Sequence, residues 1–162
     1  MERTGIQNKH RILAFVVFLG LVAVLFGLDV WTKQLAVTYL KGQEDVVLIP
    51  GVLVLHYLEN TGAAFGILKG QFWVFYLLTF VICAGILRYL ATLPVAGESL
   101  LPALSMLLLL AGALGNLKDR ISLHYVVDFI YISLIDFPVF NVADIYVTTG
   151  VFLLAVLALW KE

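Results

Sequence analysis

Ionisable side chains are scarce in this chain, and the few set among apolar runs are the ones able to do chemistry. Asp128 stands in Val126-Val127-Asp128-Phe129-Ile130, a carboxylate among four apolar neighbours. Asp144 ends Phe140-Asn141-Val142-Ala143-Asp144, at the head of a further apolar run. The two are 16 positions apart with Pro138 between them, so the chain can fold back and bring both to one depth. Two neighbouring carboxylates in a low dielectric do not both ionise easily, so one pKa rises and the pair holds a shared proton. One member then takes a proton from water while the other donates to the carbonyl or the leaving nitrogen. That chemistry is peptide hydrolysis without a metal or a nucleophilic side chain. The plain alternatives are a surface-loop aspartate at 128 and a helix-capping box formed by Asn141 and Asp144.

Three further groups of polar residues stand where a membrane makes them expensive, at least ~2.5 kcal/mol for a charge at mid-bilayer. Asp29 and Lys33 have the favourable acid-then-base order at i, i+4 on a helix. An interfacial ion pair would explain them, except that an aspartate near a helix C-terminus opposes the dipole and so answers to something else. Asn60-Thr61-Gly62-Ala63-Ala64-Phe65-Gly66 is either a plain turn or a small-residue segment whose backbone and Asn60 amide grip an extended peptide. In Gly115-Asn116-Leu117-Lys118-Asp119-Arg120, a helix puts Asn116, Asp119 and Arg120 on one face. Ala111, Gly112 and Gly115 before them let a neighbouring helix approach closely. A purely structural polar cluster is the simpler reading of that segment. His10, His56 and His124 have no zinc spacing, and no G-x-S-x-G elbow or phosphate-binding glycine loop occurs. No metal or cofactor is expected.

The elements that must position these residues follow from composition. The chain has 162 residues, 62% of them hydrophobic and 13% charged. Globular domains carry about 25% charged residues, so this chain has too few to cover a soluble surface. A net charge of −1 leaves no basic footprint for nucleic acid. The single Cys83 excludes an internal disulfide and sits in an apolar run as a small hydrophobe. A bilayer core takes about 20 apolar residues per helix, and four stretches at about 12–28, 70–90, 99–117 and 144–160 meet or approach that. The expectation is an all-α integral membrane protein forming one membrane domain over residues 1–162. Trp31, Trp73 and Trp160 fall at run edges, where their rings prefer to sit. Lys and Arg outside the spans divide equally between the two sides, and the cluster Arg3, Lys9 and Arg11 turns the balance towards cytoplasmic termini. With no small-x-small site after it, the first span reads as an uncleaved anchor. Extracytoplasmic loops then cover about 34–69 and 121–143. In the first, β-branched runs on both sides of Pro50-Gly51 predict a small β-hairpin.

Taken in order, these motifs resemble the lipoprotein signal peptidases (signal peptidase II). The match comprises Asp29 with Thr32-Lys33, Asn60 with Gly62-Ala63-Ala64-Phe65-Gly66, Gly115-Asn116 with Asp119-Arg120, Val127-Asp128-Phe129, and Phe140-Asn141 with Ala143-Asp144 and Gly150. The resemblance implies an aspartic endopeptidase of the bacterial inner membrane that cleaves prolipoproteins N-terminal to a diacylglyceryl-modified cysteine. It implies Asp128 and Asp144 as the catalytic pair, with Asn60, Gly62, Asn116, Arg120 and Asn141 lining the substrate site. It also implies that Asp29, Lys33 and Asp119 position elements or substrate around that pair. Lys118 stands where the family usually has an apolar residue, Val30 follows the first aspartate where a polar residue is common, and Ile145-Tyr146 follow the last where small residues are frequent. Lys118 bears on the local field at Asp119. The expected partners are lipid-modified prolipoprotein and membrane lipids, with the protein a monomer and the site near the extracytoplasmic face. Two other functions fit the same acids: a small proton-coupled transporter or channel subunit using them as a relay, and a non-catalytic chaperone binding lipoprotein precursors.

Overall fold

The computed structural model describes residues 2–63, 67–92 and 100–160. In chain order the elements are α1 (Glu2–Tyr39), β1 (Val46–Ile49), β2 (Leu53–Asn60), α2 (Phe72–Thr92), α3 (Leu100–Leu123), β3 (Val126–Ile132), a 3-10 turn (Ser133–Ile135) and α4 (Val142–Trp160). Among the described residues, four stretches are long and apolar enough to cross a membrane: Lys9–Tyr39, Phe72–Leu90, Leu100–Leu123 and Val142–Trp160. This is the expected all-α membrane architecture with a small β element.

The helices run past the apolar stretches that announce them. α1 has no proline to stop it and continues from Leu28 through Asp29 and Lys33 to Tyr39. Its polar groups stay helical because they find partners on other elements. Asp29 therefore lies well inside α1, and the dipole objection raised by the sequence falls away. At its far end α1 turns Ala36 and Leu40 onto Val127 and Phe129 of β3, a small core above the membrane-spanning one. The spanning core gathers Phe18 and Val22 of α1, Ile86 of α2, and Leu107, Leu109, Leu110 and Ala111 of α3. Outward-facing side chains such as Val16, Phe80, Val81, Phe152 and Leu159 are exposed and apolar, as a lipid-facing surface requires.

α3 is the central helix, packed on α1, α2 and α4. Small residues let the neighbours close on it. A Cβ at Gly112 would strike Ala143 O and Val147, and one at Gly150 would strike Leu109 and Ser105 O. At Gly115 it would strike the Asp29 carboxylate itself. Gly115→Ala is expected to destabilise the bundle by about 1–3 kcal/mol. Gly85→Ala, where nothing lies within 4 Å of the added carbon, should be neutral or mildly stabilising. Thermal unfolding in detergent compares the two, and equal behaviour would contradict this packing.

The β element is a three-stranded antiparallel sheet in the order β1-β2-β3. β1 and β2 form the expected hairpin, with Gly51 at a φ of 71° and Val52 N–H donating to Ile49 O at 3.0 Å. The third strand is an addition. β3 comes from the second long loop and pairs Asp128 with Leu58 and Val126 with Asn60. Phe140 then bonds back onto β3: Phe129 and Ile130 N–H donate to Phe140 O at 3.0 and 2.8 Å, and Phe140 N–H donates to Ile130 O at 3.0 Å. This fold-back sets the start of α4 beside Asp128. After β2 the chain closes a tight loop, with Gly70 N–H on Thr61 O at 2.9 Å and Ala63 N–H on Ile67 O at 2.7 Å. Ala64, Phe65 and Gly66 of the small-residue motif lie outside the described residues, as do Pro94 and Gly97 between α2 and α3.

Candidate active site

Asp144 sits in the first turn of α4, held by the cap of its own helix. Its N–H donates to Asn141 Oδ1 at 3.0 Å, and Asn141 N–H donates to Asp144 Oδ2 at 3.1 Å. This is the reciprocal capping box that the spacing suggested, and the helix N-terminus favours the negative charge. The carboxylate accepts a second bond at Oδ1, from Asn116 Nδ2 of α3 at 2.8 Å.

Asp128 projects from β3 and is only 1% exposed. Its Oδ1 accepts from Asn141 Nδ2 at 2.7 Å and its Oδ2 from Asn60 Nδ2 at 2.9 Å. Asn141 thus spans the two acids, with its amide nitrogen on Asp128 and its amide oxygen and backbone N–H on Asp144. The capping box and the pairing of the acids are one arrangement. Burial, and after it the charge of Asp144, push the Asp128 carboxyl from the ordinary 3.8 up to about 7, against the opposing pull of the two amide donors. Asp128 lies on the sheet, outside the four spans.

The supporting residues form a buried chain between the helices. Lys33, 3% exposed, pairs with Asp29 Oδ2 at 2.8 Å and Asp119 Oδ2 at 3.3 Å, and donates to Asn116 Oδ1 at 2.9 Å. Asn116 carries that order onward to Asp144 and also accepts from Asn141 Nδ2 at 3.1 Å. The other oxygen of Asp29 accepts from Ala143 N–H at 2.9 Å, so its second partner is the N-terminus of α4. Asp119 Oδ2 accepts from Val127 N–H at 3.3 Å, fixing β3 one residue before Asp128. Lys118 donates to the free oxygen of Asp119 at 3.1 Å, so the residue that departs from the family pattern does act on Asp119.

Arg120 turns to a different task from Asp119. Its Nη2 donates to Gly62 O at 2.9 Å, its Nη1 approaches Asn116 O at 3.5 Å, and its guanidinium lies 4.0 Å over the Phe75 ring. Gly62 N–H in turn donates to Asn60 Oδ1 at 2.9 Å, which aims the Asn60 amide nitrogen at Asp128. All ten residues singled out by the sequence therefore join one network. Its backbone members, Ala143 N–H and Val127 N–H, and the side chains of Phe75 and Tyr76 carry no signal in the sequence. These two aromatics of α2 brace Arg120, Tyr76 through its hydroxyl on Arg120 O at 3.1 Å. Beside Asn60 and Gly62 opens a cleft of about 520 Å³, walled on the opposite side by Tyr131 and Asp136–Val139.

Comparison with known proteins agrees over nearly the whole chain. Residues 21–160 match the family described as Signal peptidase (SPase) II. The chain is 44% identical over 141 residues to a lipoprotein signal peptidase of Streptococcus thermophilus (strain CNRZ 1066), covering 87% of this chain and 90% of that protein. It is also 44% identical to a lipoprotein signal peptidase of Geobacillus thermodenitrificans (strain NG80-2), covering 86% and 87%. Two solved bacterial membrane enzyme structures superpose with TM-scores of 0.79 and 0.76 at 33% and 32% identity. They cover 90% of this chain and 88% and 94% of theirs. Nothing in these likenesses supports a proton-coupled transporter. With its motifs gathered at one end of a four-helix membrane bundle, the chain belongs to the signal peptidase II family, multi-pass membrane peptidases of bacteria.

Proposed function

We propose that the protein removes the signal peptide from prolipoproteins as an aspartic endopeptidase, with Asp128 and Asp144 as its catalytic pair. The observation that carries this reading is the Asn141 bridge, which holds two carboxylates from different elements in one buried site. The Asp144 carboxylate accepts from two donors and stands at a helix N-terminus, both of which favour negative charge there, so it acts as the base toward water. Asp128, buried and facing that charge, keeps the shared proton and donates it to the scissile carbonyl or the leaving nitrogen. Water attacks directly, without a covalent intermediate.

The substrate is a diacylglyceryl-modified precursor whose acyl chains remain in the bilayer. Its scissile bond reaches the enzyme at the membrane surface, where α1, α3, α4 and the sheet converge. That end of the bundle faces the extracytoplasmic side, with both termini cytoplasmic. The protein works as a monomer and a single membrane domain, with membrane lipids around it. Asn60, Gly62 and Arg120 line the substrate path, while Asp29, Lys33, Asn116, Asp119 and Asn141 hold the pair in place.

The shared proton gives this reading a pH signature. Below about pH 7 Asp128 is protonated and the pair holds one proton. As pH rises through that value the proton leaves, both carboxylates carry charge, and the general acid is lost. The kcat/KM for a lipidated precursor is therefore expected to fall about tenfold per pH unit above about 7. A profile that stays level to about pH 9 would contradict the assignment of the proton to Asp128.

A further inference from the structure

The cleft beside Asn60, the residue that donates to Asp128, carries two charges that the mechanism does not use. Its walls include Glu59, Lys69 and Asp136 together with the apolar Leu58, Phe137, Pro138 and Val139. Glu59 is already neutralised, with Lys41 Nζ at 2.8 Å and the Tyr57 hydroxyl at 3.1 Å. Asp136 is not. Its Oδ1 accepts from the Tyr131 hydroxyl at 2.6 Å, a neutral donor, and no cation meets it among the described residues. The carboxylate is also held in place by its backbone, which has a φ of 49° and closes the 3-10 turn with its N–H on Ser133 O at 3.4 Å. Lys69, on the loop after β2, is exposed and likewise has no partner among the described residues.

Resting on the peptidase reading above, we propose that Asp136 is a specificity-determining residue, selecting a basic side chain on the mature side of the cleavage site. The signal-peptide half of the substrate lies in the bilayer, so the cleft, built from the sheet and the β3–α4 connection, takes the half that leaves it. The length of that subsite follows from the strand. The cleft extends from Asn60 and Gly62 to Tyr131 and Asp136. Tyr131 is three residues along β3 from Asp128. Although those two side chains leave opposite faces of the strand, the backbone between them measures about 10 Å at ~3.3 Å per residue. An extended substrate chain covers that span in about three residues, which sets the third residue after the modified cysteine against Asp136. Its apolar stem would lie on Phe137 and Pro138 while its charged end meets the carboxylate. The site is open to water, so the preference is modest and weakens with salt.

The test uses the full-length protein in detergent and three diacylglyceryl-modified precursors with Lys, Gln or Glu at the third residue after the cysteine. The wild type is expected to cleave them in the order Lys, Gln, Glu, with kcat/KM falling about two- to five-fold across the series at low salt. Asp136→Asn keeps the backbone conformation accessible and should flatten the series, while Asp136→Lys should reverse it. These are ratios within one enzyme preparation, so loss of folded protein does not mimic them. A wild type that cleaves all three equally, or an Asp136→Asn variant with the order unchanged, would overturn the proposal. So would a series altered only by Lys69→Gln. A wild type that cleaves none of the three would overturn the peptidase reading, and this inference with it.

Discussion

Asp128→Asn and Asp144→Asn are each expected to lower prolipoprotein cleavage by about 10²–10⁴-fold, the range for removing a general acid or base. Neither change alters side-chain volume much, but both disturb the Asn141 bridge. An amide at 128 faces two amide donors where a carboxylate accepted both, and an amide at 144 loses one of the two bonds its carboxylate accepted. A displaced hydrogen bond of this kind costs about 1–3 kcal/mol of stability. The double variant separates chemistry from folding, because groups that act as a unit are not additive in rate. Its residual activity should match that of the worse single variant, while its stability loss should be larger. A chaperone without catalysis would bind precursor equally well in all three variants and yield no cleaved product from the wild type. Either single variant retaining cleavage within a few-fold of wild type would remove the pair from the mechanism.

Lys33 carries the largest expected effect on stability. It is the shared cation of Asp29 and Asp119 at 2.8 and 3.3 Å, and all three side chains are buried. Lys33→Met leaves two carboxylates without their common counter-charge, although Lys118 still reaches one oxygen of Asp119. Breaking a buried pair from one side costs about 3–5 kcal/mol. Restoring neutrality with Lys33→Met/Asp29→Asn should recover part of that loss, a coupling that a double-mutant cycle reads directly. Activity should fall further than stability predicts, because Lys33 also fixes Asn116 and through it Asp144. Thermal unfolding in detergent checks the first expectation. An unchanged midpoint for Lys33→Met would mean that the buried pair holds nothing together.

Much of the site was legible because its residues violate their surroundings. A carboxylate at 128 or 29 in an apolar run has few reasons to exist, and each of those reasons is functional or a tie to another element. The membrane sharpens that signal by making unpartnered charge costly. The third strand was not legible in the same way. Its apolar run between α3 and α4 fits a strand by composition, yet its partner β2 lies some seventy residues earlier, at Leu58 for Asp128. Nothing local encodes a pairing at that distance. The reach of α1 was hidden for the opposite reason. Asp29 and Lys33 looked like the end of a span, but the helix continues because Ala143 N–H, Asn116 and Asp119 wait for them on other elements. Helical spacing put Asn116, Asp119 and Arg120 together. It could not tell that Arg120 would leave Asp119 and reach for Gly62, since that choice is made by the loop after β2 and the Phe75 ring.

The most direct test of the central claim is digestion of one precursor in two forms, diacylglyceryl-modified and unmodified at the cysteine, by the purified wild-type protein. Mass spectrometry of the products locates the cut. The expected result is a single cut N-terminal to the modified cysteine, with the unmodified form left intact. Equal cutting of both forms, a cut at another bond, or no product from either form would contradict it.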